Sequence, residues 1–389
     1  MTSIDAAIAG GVAAAHPRLI ELSRDLYDHP ETAWEEVRSA RRVAGLLSDN
    51  GFSVTGQYCG LDTAFAAQLG SGDLHIALCA EYDALPGLGH ACGHNLISAI
   101  TAGAALTLAP VVDDLGVTLT VIGTPAEEGG GGKIELLERD GFSGQHAAAM
   151  VHPGPVDVAR ARPFAVSHSH IEYKGRSAHA AAYPERGVNA ADAFTIAQVA
   201  IGLLRQQLPS SVRVHGMMTR GGEAPNAIAA HTEGRWYVRA ETLAELAEVE
   251  PRVVRCFEAG ALASGAELTV TPESKPYAEF RTDEELLACY ERRATAAGRH
   301  FDSGPDTMMA RASTDMGNVS QVIPAIHPYI GIDSLPAVNH QPEFAAATIT
   351  TAAEEAIAHG ALALAGTVVD AACQTHIRHR LLGAVDADD

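Results

Sequence analysis

Three short apolar runs, separated by helical patterns, set the strongest limit on the fold. They span residues 74–80, 117–123 and 147–151, and each is apolar along nearly its whole length. Helical patterns at 95–108 and 132–139 lie between them. A strand that is apolar on both sides must be covered on both faces, which is typical of parallel strands connected through helices. The runs therefore predict an α/β fold with a mostly parallel sheet covered by helices.

The pattern changes between residues 163 and 279. The predicted elements there are strand 164–174, helix 188–207, strands 212–219 and 231–240, helix 242–262 and strand 266–274. This order is the βαββαβ plan of an α+β ferredoxin-like domain. Because 389 residues also exceed the usual size of one domain, we expect an inserted domain at 163–279 within a first domain made of 1–162 and 280–389.

Charge and cysteine usage exclude several classes of protein. There are 27 Lys and Arg against 48 Asp and Glu, so the net charge is −21, and we expect no nucleic-acid partner. No stretch reaches the ~20 continuous apolar residues of a membrane helix, and we expect no membrane partner. The N-terminus carries Asp5 where a secretory signal is basic, and six scattered cysteines resemble reduced thiols. We therefore expect a cytoplasmic protein.

Reactive side chains follow each of the three apolar runs. Glu81 and Asp83 follow the first, Glu127 and Glu128 follow the second, and His152 follows the third. Ligands bind at the carboxyl ends of strands in open parallel sheets. These side chains are therefore expected at one edge of the sheet, where the candidate site lies.

A thiol and an imidazole stand two positions apart at Cys92 and His94, just before a helix, so both can face one ion. Adjacent acids at a buried strand end, as at Glu127 and Glu128, repel each other unless a cation is present. Taken alone, the first motif also fits a buried cysteine with loop histidines. The second also fits a solvated acidic turn before a flexible run of glycines.

Taken together, these elements offer one sulfur, three nitrogens and a carboxylate. This set suits zinc or another borderline divalent metal, and five ligands are enough for two ions. Glu127 is then left beside a ligand and free to act as general base. The five candidate ligands are Cys92, His94, Glu128, His152 and His340.

The sequence resembles the zinc-dependent exopeptidases and amidohydrolases that include aminoacylase, carboxypeptidase G, auxin-conjugate hydrolases and aminobenzoyl-glutamate hydrolases. The resemblance covers nearly the whole chain. Glu81 stands where aminoacylase and carboxypeptidase G carry a ligating histidine, and the Cys-Gly-His form resembles the branch of the last two. The most specific stretches are Ala80–Pro86, His90–Asn95, Pro125–Gly131, Gly175–Ala181 and Ser313–Gly317.

The resemblance implies roles for residues in both domains. It implies that the five candidate ligands hold two divalent ions, zinc first, with manganese, cobalt or nickel as alternatives, and that Glu127 is the catalytic base. The inserted domain would be a lid and dimerisation domain of a homodimer. His179 matches a lid histidine that stabilises the oxyanion in the partner subunit's site, and Asn226 and Arg239 match residues that hold the substrate. Trp236 replaces the usual glycine near Arg239.

Several further residues have bland alternatives. Asp83 is expected to orient a metal ligand, with a turn cap before Ala-Leu-Pro as the alternative. Asp315 is expected to be a simple helix N-cap, not a catalytic residue. His168 and His170 are expected at the surface of a lid strand, because they alternate along it.

The expected function is metal-dependent hydrolysis of the amide bond of N-acyl or N-aminoacyl amino acids, acting on a small-molecule amide. One alternative is a dipeptidase that requires a free amine. Another is a non-catalytic, metal-bearing protein that binds a small amide. The latter predicts loss of the base or of a ligand, whereas every matched position is present in this sequence.

Overall fold

The computed structural model describes residues 3–385. They form two compact units, which we call the outer unit (1–162 with 280–389) and the inserted unit (163–279). In chain order the elements are α1 (Ser3–Asp28), α2 (Val37–Ser48), β1 (Ser53–Gly56), β2 (Phe65–Leu69), β3 (Leu74–Ala80), α3 (His94–Leu108), β4 (Val117–Gly123), α4 (Gly132–Leu137), β5 (Ala147–Ala149), β6 (His152–Gly154), β7 (Ala165–Lys174), α5 (Ala190–Leu204), β8 (Arg213–Arg220), β9 (His231–Ala240), α6 (Leu243–Ser264), β10 (Glu267–Pro272), α7 (Glu284–Ala296), α8 (Met316–Val322), β11 (Ala325–Ile326), β12 (Tyr329–Gly331), α9 (Pro342–Ala347), α10 (Thr351–Cys373) and α11 (Thr375–Val385).

The outer unit contains a six-stranded sheet in the order β1-β2-β4-β3-β5-β11. Strand β3 pairs in parallel with both β4 and β5, and β5 pairs in parallel with β11. The predicted α/β fold with a mostly parallel sheet is therefore confirmed. The two antiparallel strands at one edge, β1 and β2, did not stand out in the sequence. Strand β1 is exposed or half-buried along its length, so it has no apolar run that would reveal it.

Helix α10 is long and apolar enough to cross a membrane by length and composition alone. The expectation that no stretch meets this test is therefore wrong. Most of its apolar window, 72%, is buried inside the structure, where it packs against α1, α3 and α7. A helix covered on several sides must be apolar nearly all round, which explains its composition without a membrane.

Helices α1, α3 and α10 meet closely at Gly103. A Cβ atom added there would lie 2.6 Å from Leu19 Cδ1 and 2.9 Å from Ala361 Cβ. Both distances are shorter than van der Waals contact, so the helices can approach this closely only because Gly103 has no side chain. The start of α3 carries His94, so this packing also fixes the position of that residue.

The inserted unit contains a four-stranded antiparallel sheet in the order β10-β7-β9-β8. Helices α5 and α6 cover one face, with Phe194 and Phe257 packed around Trp236. This is the βαββαβ order that the sequence predicts. The large indole at position 236 therefore fills the core between sheet and helices.

The prediction that His168 lies at the surface is wrong. Its relative exposure is 7%, and its ring lies between the rings of Tyr237 and Tyr277, with Nδ1 3.1 Å from Ser274 Oγ. The segment after β10 folds back over this end of β7, which strand alternation alone does not reveal. His170 is partly exposed, as expected.

We expect Gly103→Ala to lower the free energy of unfolding by about 1–3 kcal/mol, because the added methyl group forces three helices apart. Gly45→Ala is the matched control. Its Cβ would contact nothing within 4 Å on helix α2, so it should raise the free energy of unfolding by roughly 0.5–1 kcal/mol. Urea denaturation of both variants measures the difference. Equal shifts in the same direction would show that the helices do not meet tightly at position 103.

Candidate metal centre

Gly93 lets the Cys-Gly-His turn approach the loop that carries His152. Its φ of +84° lies in the left-handed region, where L-residues with side chains are strained. A Cβ atom at this position would lie only 2.4 Å from Pro153 Cγ. Glycine at this position therefore brings Cys92 and His94 against His152, across 58 or more residues of sequence.

The five candidate ligands come together in two groups that share one sulfur atom. Cys92 groups with His94 and His152, and again with Glu128 and His340, with all ligand atoms of each group within 4.8 Å of one another. Cys92 Sγ lies 3.6 Å from His152 Nε2, and His340 Nε2 lies 3.3 Å from Glu128 Oε1. Around one tetrahedral zinc ion, sulfur and nitrogen ligands stand roughly 3.6 Å apart, and nitrogen and oxygen ligands roughly 3.4 Å apart. The spacings therefore fit two divalent ions that share Cys92.

His94 presents an unpaired ring nitrogen to this space. Its Nδ1 lies 3.0 Å from Asp83 Oδ1, so Nδ1–H donates to the carboxylate and Nε2 carries a lone pair. Nε2 is buried without a hydrogen-bond partner. Carboxylate oxygens of Glu81, Glu127 and Glu128 surround it at 3.5, 3.9 and 4.0 Å. A lone pair that faces three carboxylates requires a cation between them.

Asp83 holds one ligand from each group. Its Oδ1 accepts from His94, and its Oδ2 accepts from the backbone N–H of Glu128 at 2.9 Å. The side chain is buried, at 1% exposure. A carboxylate that hydrogen-bonds the non-ligating nitrogen of a histidine fixes the tautomer and the direction of the ring.

Asn339 joins three loops of the centre, although the sequence pattern assigned it no role. Its Nδ2 donates to the carbonyl oxygens of Cys92 and Pro153, both at 3.3 Å. The next residue, His340, has a φ of +68° and donates its backbone N–H to Ala91 O at 2.8 Å. This strained backbone is held because both neighbours are anchored, as is common at functional sites. The only signal in the sequence was the position of Asn339 beside a candidate ligand.

Glu127 is buried next to the two groups, with 7% exposure. Burial, and then the negative charges of Glu81, Glu128 and Asp315, hold its pKa well above the usual range. This is the response of a carboxylate among other carboxylates when no cation lies between them. Bound divalent ions would offset that repulsion and favour the ionised form.

Lys133 was missed in the sequence, and it forms a buried triad with Glu81 and Asp315. Its Nζ donates to Glu81 Oε1 at 2.5 Å and to Asp315 Oδ1 at 2.6 Å, and all three side chains are 0% exposed. The prediction that Asp315 caps a helix is wrong. Its carboxylate makes no capping bond to α8 and accepts from Lys133 instead. The signal was a lysine in the first turn of a buried helix after four glycines.

Glu36 supports the loop of the adjacent acids from a distant part of the chain. Its Oε1 accepts the backbone N–H of Ala126 at 2.9 Å, and Ala126 has a φ of +55° directly before Glu127. Burial, and then the charge of Asp83, raises the pKa of Glu36 to about 7. Position 36 carried no signal, because the contact spans 90 residues.

The remaining candidate residues lie in the inserted unit. His179 is exposed, and its Nδ1 accepts backbone N–H groups of Ala181 and Ala182 at 3.3 and 3.2 Å. Asn226 lies beside it, because Ala180 N–H donates to its carbonyl oxygen. Arg239 is at the far end of β9, where its Nε lies 3.2 Å from His215 Nε2.

The inserted unit therefore brings His179 and Asn226 together but not Arg239. Arg239 lies eight residues beyond His231, the first residue of β9. At about 3.3 Å per residue this is about 26 Å along the strand.

Known proteins share this arrangement. A model of the peptidase family M20/M25/M40 matches residues 77–370. The Xaa-Arg dipeptidase of Mus musculus is 37% identical over 374 residues, which cover 92% of this chain and 86% of that protein. One of the polypeptides of the p-aminobenzoyl-glutamate hydrolase of Escherichia coli (strain K12) is 32% identical over 66% of this chain and 57% of its own length.

A solved structure shows the same fold. It is a dinuclear metal-binding peptidase of the M20 family from Bacillus subtilis, 23% identical, with a TM-score of 0.68. The match covers 92% of this chain and 98% of that one.

We expect the contribution of Glu36 to stability to fall as pH rises. Its pKa is raised from 4.5 to about 7 in the folded state, so its stabilisation is full below pH 4.5 and is lost as pH rises through 7. Glu36→Gln stays neutral, so the variant should gain about 3 kcal/mol relative to wild type between pH 4.5 and 8. Urea denaturation of both proteins across this range measures the difference. A difference that does not change with pH would show that Glu36 is not held protonated.

Proposed function

This chain belongs to peptidase family M20/M25/M40 and is a metal-dependent hydrolase of amide or peptide bonds, and on that premise we propose that it hydrolyses N-acyl or N-aminoacyl amino acids. One observation carries the proposal. Five ligand side chains converge on two groups that share Cys92, and the buried carboxylate of Glu127 lies beside them. This arrangement has both parts of a hydrolytic centre, a metal pair and a base that need not be a ligand.

The side chains of the outer unit divide the chemistry between them. The ions, when bound, polarise the substrate carbonyl and lower the pKa of water. Glu127 takes the proton of the attacking water and passes it to the nitrogen of the leaving amine. Asp83 keeps His94 and Glu128 in place throughout, because it accepts from both. We propose zinc as the metal, since the sulfur, nitrogen and oxygen ligands suit it best.

We propose that the inserted unit is a lid and dimerisation domain, and that His179 stabilises the tetrahedral oxyanion. Because its Nδ1 accepts backbone N–H groups, the ring proton is on Nε2, which points a donor away from its own loop. A donor aimed at a developing oxyanion lowers the barrier of acyl transfer.

The separation of the lid residues supports a homodimer. His179 with Asn226 lies near one end of β9 and Arg239 near the other, about 26 Å away along the strand. A dipeptide spans only about 7 Å when extended. Both sets of residues can therefore serve one substrate only if two subunits supply them. We also propose a cytoplasmic location, which is supported by six free cysteines, one of them a ligand that must stay reduced.

A dipeptide with a basic C-terminal residue is the second candidate substrate. The similarity to the Xaa-Arg dipeptidase favours it. The net charge of −21 favours it too, because an acidic surface attracts cationic substrates. The similarity to the p-aminobenzoyl-glutamate hydrolase instead favours an aromatic acyl group on an acidic amino acid.

Zinc-loaded protein assayed against N-acetyl, N-benzoyl and aminobenzoyl amino acids, and against dipeptides ending in Arg, Lys or Leu, tests the function. We expect turnover of at least one class. Glu127→Gln should keep its metal and fold while kcat falls at least ~100-fold, because it removes the base. Glu128→Gln should instead lose metal, because it removes a ligand.

Two outcomes would contradict this proposal. Tight binding of these amides by the wild type without turnover would indicate a binding protein. Loss of metal in Glu127→Gln, with full metal in Glu128→Gln, would mean that the two acids have the opposite roles.

Mixing two inactive variants tests the role of His179. We expect His179→Ala and Glu127→Ala chains to regain part of the wild-type activity after subunit exchange. Some heterodimers then contain one site with an intact base from one chain and an intact histidine from the other. Native mass spectrometry verifies the exchange. If heterodimers form and no activity returns, or if the active species is a monomer, His179 does not act across a dimer.

A further inference from the structure

Glu81 follows directly after β3 and faces the metal centre, yet it belongs to neither of the two groups that share Cys92. Its side chain is 0% exposed. We propose that Glu81 is a sixth metal ligand, which binds through Oε2 the same ion as His94 and His152, and that Lys133 is the residue that positions it. The proposal rests on the metal pair of the proposed function.

The two oxygens of Glu81 have different surroundings. Oε1 accepts a hydrogen bond from Lys133 Nζ at 2.5 Å. Oε2 is buried and has no hydrogen-bond partner. It lies 3.5 Å from His94 Nε2, which is also buried without a partner. This distance is longer than the 2.7–3.2 Å of an ordinary hydrogen bond between nitrogen and oxygen.

The distance of 3.5 Å is the one that a shared ion would produce. With bonds of about 2.0–2.2 Å at a tetrahedral angle, a nitrogen and an oxygen on one zinc ion lie roughly 3.4 Å apart. His340 and Glu128 in the second group show nearly the same spacing, 3.3 Å. Glu127 Oε2 lies further from His94, at 3.9 Å, as fits a base beside the ion.

Glu81 also supplies what the first group lacks. Cys92, His94 and His152 include no carboxylate, whereas the second group has Glu128. With Glu81, each ion has the shared thiolate and one carboxylate. The ligand atoms of Glu81, His94 and Glu127 lie within 4.8 Å of one another, so no backbone movement is needed to reach an ion at His94.

Lys133 fixes which oxygen of Glu81 faces the ion. Its Nζ bridges Glu81 and Asp315, and its backbone N–H donates to the second oxygen of Asp315 at 2.9 Å. The ammonium group is therefore held from two sides. Since it occupies Oε1, Oε2 is left as the atom that can bind metal. Lys133 acts through Glu81 and is a positioning residue.

Cobalt(II) loading tests the proposal, because cobalt reports its ligands in the visible spectrum. The wild type should bind two ions and show the sulfur-to-cobalt charge-transfer band of Cys92. Glu81→Ala should keep that band, shift the d–d bands, and bind one of the two ions at least ~10-fold more weakly in chelator competition. Glu81→Gln keeps the shape of the side chain and should show the same shift if the alanine variant does not fold.

The matched control is Glu135→Gln. Glu135 lies on the same helix as Lys133 but pairs with Arg139 at the surface. It should match the wild type in spectrum and affinity. The double variant Lys133→Met/Asp315→Asn removes a buried cation and a buried anion together, and it should reproduce the spectral shift of Glu81→Ala because Glu81 is no longer held.

The outcomes separate this proposal from the metal pair itself. A wild type that binds fewer than two ions, or lacks the sulfur band, would overturn the proposed metal pair. A wild type with both features, and folded Glu81 variants with unchanged d–d bands and affinities within twofold, would overturn only the assignment of Glu81. A shift in Glu81→Ala that the double variant lacks would overturn the positioning role of Lys133.

Discussion

The structure depends on an unusual concentration of negative charge in a buried place. Six side chains that are or can become anions lie together at the carboxyl ends of the strands, and Lys133 adds one positive charge. Removing such groups from water costs several kcal/mol each unless opposite charges compensate them. Divalent ions are the natural compensation, so the same charges that threaten the fold create the metal centre. The six are Glu81, Asp83, Cys92, Glu127, Glu128 and Asp315.

The surrounding fold is arranged to keep these groups at fixed distances. Asp83 connects a ligand from each group, and Asn339 connects the loops that carry Cys92, His152 and His340. Both contacts use atoms that do not face the ions. The ligands are thus positioned by hydrogen bonds made behind them, which leaves their donor atoms directed at a common space.

The sequence predicted the parts of the molecule that have local signatures. Strands β3 and β4 are apolar on both faces, and the Cys-Gly-His and Glu-Glu motifs combine ligand types that few other sites need. Lys133, Glu36 and Asp315 were missed or misread because their meaning comes from partners far along the chain. Lys133 and Asp315 are 182 residues apart, and a helix cap at Asp315 was the best local interpretation. His168 failed for the same reason, since a later segment buries it.

The insertion of one unit into the other imposes an order on biosynthesis. The group of Cys92, His94 and His152 is complete once residue 152 has left the ribosome, before the inserted unit is made. The group that needs His340 must wait until 248 more residues have followed Cys92, which takes about 12–50 s at 5–20 residues per second. The inserted unit is continuous in sequence and can fold during that interval. The nascent chain therefore passes through a stage with a complete lid and half a metal centre, in which the shared thiol is already present but its second set of partners is not.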